Sequence, residues 1–216
     1  MITVAIVDDH RILADALHIL YQNDPEFSFV GSACTLAEGL KLIQRLGPKV
    51  LLLDVSLPDG SSLEVVQKIR KSSPGTEIIL LTSLSDEATL ARAVNSGVSG
   101  FFSKRGSVTE LMETVRKVAS GEIVMPAALL LRMLRRMPRS RSILGNDDQV
   151  WEQLTAREVE ILSYLAQGKS GKDIALSLCI TPLTVRTHVR NLMSKMGVHS
   201  RLEAVTFGMR NGLINS

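Results

Sequence analysis

The first 122 residues alternate five times between a strand-length run and a stretch with helical spacing. Strand patterns cover Ile2–Val7, Phe27–Ala33, Val50–Leu53, Glu77–Leu81 and Gly100–Ser103. Helical patterns cover Arg11–Gln22, Thr35–Leu46, Leu63–Arg70, Asp86–Asn95 and Ser107–Ala119. Strands separated by whole helices pair in parallel, and right-handed crossovers then place helices on both faces. The expectation is an α/β five-stranded parallel doubly wound sheet. Such a sheet gathers the carboxyl ends of its strands on one edge, where ligands bind.

The run Val50-Leu-Leu-Leu53 is the most apolar of the five and ends at Asp54, before Pro58 and Gly60 break the chain. It reads as a strand buried on both faces with a carboxylate at its carboxyl end. Asp54 is therefore a candidate site, the alternative being a cap for the next helix. Polar groups also follow three other strands: Asp8 and Asp9, Thr82, and Lys104. Clustered carboxylates repel each other unless a hard dication sits among them, and oxygen ligands with open water positions suit Mg2+. A carboxylate beside such an ion is a nucleophile toward a phosphoryl group, and a lysine offsets the charge on the transferring oxygens.

On these residues, 1–122 resembles the receiver domain of two-component response regulators. The resemblance implies that Asp54 is the phosphoacceptor. Asp9 is then the direct Mg2+ ligand, with Asp8 assisting and the Ser56 backbone carbonyl completing the shell. Thr82 is the switch hydroxyl, Lys104 the phosphate-pairing lysine and Phe101 the aromatic switch that turns inward. Three positions depart from the pattern: Arg105 stands where many receivers have Pro, Phe101 lacks a tyrosine hydroxyl, and Ser62 replaces a common Gly.

Residues 1–122 carry 12 Lys and Arg against 15 Asp and Glu, whereas 123–150 carry 5 against 2 and 151–216 carry 8 against 5. An acidic first half and a basic remainder point the second half toward a polyanion. The N-terminus reaches Asp8-Asp9 with no basic region, and no apolar run approaches the ~20 residues of a membrane span. Cys34 and Cys179 lie far apart in apolar sequence and read as packed free thiols. The expectation is a soluble cytoplasmic protein that does not engage a membrane.

Residues 123–150 read as a basic linker with a short helix over Ala127–Met137 after Pro126. Arg132, Arg135, Arg136 and Arg139 gather within about a quarter turn of that helix. A helix packed on one domain with a solvated basic face, a dimer contact, a DNA-phosphate contact and a membrane-surface helix all fit that pattern.

From residue 151 the helix signals are local. Thr155-Ala-Arg-Glu158 and Ser170-Gly-Lys-Asp173 are capping boxes, Thr181-Pro182 opens a helix to Met196, and Ser200 caps Arg201–Arg210. A tight turn between the second and third helices fits a helix-turn-helix unit. At about 100° per residue, Arg186, Arg190, Ser194, Thr187 and Asn191 share one face of the third helix, opposite Val185, Val189, Leu192 and Met196. Arginines on an exposed helix face suit the major groove, and nearby Lys172, Thr181 and Lys195 suit phosphate.

Residues 154–213 resemble the LuxR/GerE-type helix-turn-helix, most specifically in Thr184-Val-Arg-Thr-His-Val189. The resemblance implies base contacts from Arg186, Thr187 and Arg190, and backbone contacts from Thr181, Thr184, Lys172 and Lys195. It also implies a fourth helix that forms a homodimer on DNA. Taken whole, the chain resembles the NarL/FixJ family. That implies a transcription factor bound to double-stranded DNA, with Mg2+-dependent phosphorylation of Asp54 by a sensor histidine kinase. Its only chemistry would be self-phosphotransfer. Two rivals stay open: the same fold switched by a partner or by concentration, and a Mg2+-dependent phosphatase. The latter needs a general acid just after its nucleophile, where Val55-Ser56 stands.

Overall fold

The computed structural model describes residues 1–83, 92–94, 96–125 and 154–214. The first unit runs β1 (Ile2–Val7), α1 (Arg11–Gln22), β2 (Phe27–Ala33), α2 (Leu36–Leu46) and β3 (Val50–Asp54). A two-strand hairpin follows, β4 (Ser56–Leu57) and β5 (Gly60–Ser61), then α3 (Ser62–Ser72), β6 (Glu77–Thr82), β7 (Gly100–Ser103) and α4 (Val108–Ser120). The main sheet is parallel throughout, in the order β2-β1-β3-β6-β7. Strand order reverses between β1 and β3, the crevice where open α/β sheets take ligands.

Strand residues alternate between two cores. Val4, Ile6, Val50, Leu52, Ile79 and Leu81 face α1 and α4, meeting Leu17, Leu111 and Val115. Ala5, Val7, Leu51, Leu53, Ile78 and Leu80 face α2 and α3, meeting Ile43, Val66 and Ile69. Burial on both faces is why the central strands read as unbroken apolar runs. Helix α2 lies so close to β1 that a Cβ on Gly39 would stand 2.7 Å from Cγ2 of Val7.

The second unit contains α5 (Ala156–Ala166), α6 (Gly171–Ser177), α7 (Pro182–Met196) and α8 (Arg201–Arg210). Both expected capping boxes form, Thr155 with Glu158 and Ser170 with Asp173. Thr181 caps α7, with Pro182 in its first turn. Ile161, Leu165, Ile174, Val189, Leu192 and Val205 belong to its core.

Some boundaries differ from expectation. The β4–β5 hairpin was not expected, and α6 opens at Gly171, directly after its Ser170 cap. Cys179 corrects the reading of packed thiols. It is free, as expected, but exposed, at φ 53° in the turn between α6 and α7. The helix expected over 86–95 lies outside the described residues except at 92–94, which are helical. The linker helix expected over 127–137 lies outside them entirely.

The start of α8 packs on the first unit. Leu202 is 2% exposed and joins the core cluster of Val66, Ile69 and Val94. A Cβ on Gly97 would lie 3.2 Å from His199 Cβ. One on Gly121, which closes α4 at φ +89°, would fall on the Arg201 guanidinium. Burial disfavours the Arg201 charge, and its Nη1 has no hydrogen-bond partner among the described residues.

Candidate acidic pocket and nucleic-acid interface

Four strand ends meet at one edge because the register pairs Val7 with Leu53, Asp54 with Leu81 and Thr82 with Ser103. Asp8 and Asp54 are buried there, and Thr82 is buried beside them in sequence register. Lys104 reaches in from the end of β7, with Nζ 2.8 Å from Asp8 Oδ2 and 2.7 Å from Asp54 Oδ2. Burial opposes the charge on Lys104, but the bonds to Asp54 and Asp8 outweigh it and raise its pKa. Burial likewise works against the Asp8 carboxylate, yet Lys104 and the backbone and ring of His10 hold its pKa below the usual range.

His10 is the pocket residue that sequence reasoning missed. Its Nδ1 lies 2.8 Å from an oxygen of Asp8 and 2.8 Å from one of Asp9, and its backbone N donates to Asp8 Oδ1 at 2.9 Å. An imidazole directly after two carboxylates was the available signal. Asp8, Asp9, His10 and Asp54 bring possible ligand atoms within 4.8 Å of one another. Asp8 Oδ2 is buried, and among the described residues the Lys104 ammonium 2.8 Å away is the partner it is paired with, at a geometry that leaves it short of a well-directed hydrogen bond. A buried, under-satisfied carboxylate oxygen beside two further carboxylates fits a hard cation. Ser56 lies in the hairpin strand β4, with its backbone N 3.3 Å from Asp54 Oδ1. The Ser62 hydroxyl donates to the carbonyls of Asp54 and Val55, tying the start of α3 to the end of β3. Phe101 is 2% exposed and faces inward.

On the second unit, α7 buries Val185, Val189, Leu192 and Met196 and leaves Arg186, Thr187 and Arg190 exposed. Lys172 is exposed on α6. The Thr181 and Thr184 hydroxyls lie 2.8 Å apart, and Thr181 Oγ1 accepts from Thr184 N at 3.1 Å. Lys195 is already engaged: its Nζ donates to Glu158 Oε2 at 2.7 Å. The same oxygen accepts from Thr155 N at 2.8 Å, so one carboxylate caps α5 and clamps it to α7.

Glu158→Gln is expected to destabilise the second unit by about 1–3 kcal/mol, the range for truncating one partner of a buried polar pair. Burial would raise the Glu158 pKa, but Lys195 and Thr155 depress it on balance. Its stabilisation is therefore complete above the usual glutamate pKa and is lost as pH falls through the folded value. Melts of wild type and Glu158→Gln should differ at pH 7 and converge in acid. A gap that does not narrow at all as pH falls below the usual glutamate range would refute the ionic account.

Residues 4–116 match the family model described as the response regulator receiver domain. Residues 152–207 match bacterial regulatory proteins of the luxR family. The chain is 32% identical over 210 residues to the uncharacterized transcriptional regulatory protein YhcZ of Bacillus subtilis strain 168, covering 97% of this chain and 96% of that protein. It is 31% identical over 215 residues to the transcriptional regulatory protein LiaR of the same organism, covering 100% of each. The crystal structure of the response regulator ChrA, from a heme-sensing two-component system, matches with TM-score 0.51 and 26% identity, over 99% of this chain and 98% of that one. Among the described residues no helix is long and apolar enough to cross a membrane.

Proposed function

Because the chain belongs to the response-regulator family, with a receiver domain followed by a LuxR-type DNA-binding domain, we propose that transfer of a phosphoryl group to Asp54 sets its affinity for DNA. The observation that carries this reading is the pocket itself. Asp54 ends the central strand β3, with Lys104 2.7 Å from one oxygen and Asp8 beside that same lysine. Asp8, Asp9, Asp54 and the Ser56 backbone carbonyl would hold Mg2+. Bound there, the ion would offset charge on the transferring oxygens.

A carboxylate oxygen of Asp54 forms the new P–O bond while the P–N bond to a phosphohistidine of a sensor kinase breaks and the imidazole leaves. The product is an acyl phosphate on Asp54. Lys104 pairs with a phosphoryl oxygen, the Thr82 hydroxyl bonds another, and Phe101 holds the inward position that this movement favours. The protein turns over no other substrate, and it works in the cytoplasm where kinase and DNA meet. Residues 1–122 act as the switch, 123–150 as the linker and 151–216 as the DNA reader. Arg186, Thr187 and Arg190 meet bases, while Lys172, Thr181, Thr184 and Lys195 meet the backbone. Lys195 exchanges Glu158 for phosphate or shares its charge between them.

Helix α8 is the surface we assign to homodimerisation on DNA. Its first turn is covered by the receiver through Leu202 and Arg201. That contact opposes dimerisation in the unphosphorylated chain, and an Arg201 Nη1 with no hydrogen-bond partner among the described residues keeps it weak enough to open. Gly121→Ala places a methyl on the Arg201 guanidinium and strains the left-handed backbone that closes α4. It is expected to raise unstimulated DNA affinity several-fold and to narrow the response to phosphorylation, and Leu202→Ala, which withdraws the α8 side chain from the receiver core, should do the same. Unchanged affinity in both folded variants would remove this contact from the switch.

The test of the whole reading begins with sites selected from random duplexes. Binding to a selected site is then measured with Mg2+, with and without the phosphoryl mimic beryllofluoride. Tighter binding and dimer formation with the mimic support the switch. Equal binding in both samples would leave a DNA-binding protein switched by a partner or by concentration.

A further inference from the structure

The first turn of α7 carries a large aliphatic side chain that no described residue buries. Leu183 is 72% exposed. At about 100° per residue, Leu183, Thr187 and Arg190 form one stripe on the side away from buried Val185, Val189 and Leu192. The Thr187 hydroxyl donates to the Leu183 carbonyl at 3.1 Å. That bond engages the hydroxyl within the helix and leaves the γ-methyl as the group free to meet a ligand. The outer face of α7 therefore opens with two apolar groups one turn apart, followed by a guanidinium.

We propose that Leu183 and the Thr187 methyl form an apolar reader of thymine C5-methyl groups in the major groove. This rests on the DNA-binding reading above and adds the base class that the first two turns select. The C5-methyl is the one apolar group that a base edge presents in that groove. The residues at the start of a recognition helix are those that reach base edges. Two side chains make too small a patch for a protein partner, since apolar docking surfaces run to several hundred Å2. Flanking Arg186 and Arg190 carry the positive charge that a duplex attracts. Thr187 thus reads by its methyl rather than by its hydroxyl.

The experiment uses the full chain and a duplex selected from random sequence. Each thymine of the site is replaced in turn by deoxyuridine, which removes only the C5-methyl. Affinity is followed by fluorescence anisotropy at fixed salt. At one or two thymines per half-site, wild type should lose about fourfold per methyl, the ratio equivalent to about 0.8 kcal/mol for one buried methylene-sized group. Leu183→Ser should bind the thymine site more weakly and show no methyl effect at the thymine that Leu183 meets. Thr187→Ser removes the methyl, keeps the hydroxyl that bonds the Leu183 carbonyl, and should lose affinity together with the methyl effect at the thymine that Thr187 meets. Circular dichroism and melting check that the variants fold, which the exposure of both residues favours. Failure of wild type to enrich any site would defeat the DNA-binding reading itself. Selective binding with no deoxyuridine effect, or with the full effect retained in Leu183→Ser, would overturn the methyl reader alone.

Discussion

Asp54→Ala is expected to bind the selected duplex as the unstimulated wild type does and to ignore beryllofluoride entirely. The mimic needs a carboxylate oxygen at the end of β3, and alanine offers none. Two sites coupled through a population shift typically trade about 1–3 kcal/mol, or roughly 5- to 150-fold in affinity, so the wild-type response should fall in that range and the variant's should be absent. The fold should survive. Lys104 keeps Asp8 as a partner at 2.8 Å, and the two core faces are untouched. Mg2+ gives a second readout that does not involve DNA. A cation bound only by the folded state raises melting temperature with its concentration. Wild type should show that rise, and Asp54→Ala should show much less because it lacks one of the clustered carboxylates. A full beryllofluoride response in Asp54→Ala would move the phosphoryl site away from this pocket. Loss of Mg2+ stabilisation with retention of the DNA response would separate metal binding from switching.

The receiver architecture was legible because burial on both faces forces apolar runs, and helices between the runs force parallel pairing. Asp8, Asp54, Thr82 and Lys104 could be placed on one edge from chain order alone. The capping boxes at Thr155 and Ser170 were legible for a different reason, since both partners lie within four residues. Contacts between distant positions were not legible. Nothing near Lys195 in sequence says that Glu158, 37 residues away, takes its ammonium. Nothing near Leu202 places it in the receiver core. His10 was missed for a chemical reason: carboxylates suffice to explain a cation site, so the next residue drew no question. Leu183 was overlooked because pattern reading looks for apolar residues on the buried stripe of α7, and this one stands opposite.

Arg70→Met is expected to destabilise the receiver by about 3 kcal/mol, in the range for removing one partner from a buried charged network, with a fall in melting temperature of about 10 °C. Arg70 lies in the last turn of α3 with its side chain 7% exposed. Its Nε donates to Gly97 O at 2.7 Å, Nη1 to Thr76 O at 2.6 Å and Nη2 to Ser99 Oγ at 2.7 Å. One guanidinium therefore ties α3 to the chain entering β6 and to the chain entering β7. Ser99 passes the link on, donating to Glu77 Oε2 at 2.5 Å and accepting from Ile78 N at 3.2 Å. Methionine fills much of the same volume but leaves the buried Gly97 and Thr76 carbonyls without this donor, while Ser99 Oγ keeps Ile78 N and Glu77; each unsatisfied group costs about 1–3 kcal/mol. Burial already lowers the Arg70 pKa, with Glu77 and Glu203 opposing the drop. Glu203 belongs to α8, so the same guanidinium also faces the docked DNA-binding domain. Arg70→Lys tests the geometry against the charge. A lysine keeps the cation but has no planar fork to reach Gly97, Thr76 and Ser99 together, so it should recover little of the lost stability. If Arg70→Lys melts within about 2 °C of wild type, charge near Glu77 and Glu203 is what matters. If Arg70→Met also melts there, the three hydrogen bonds do not hold β6 and β7 to α3.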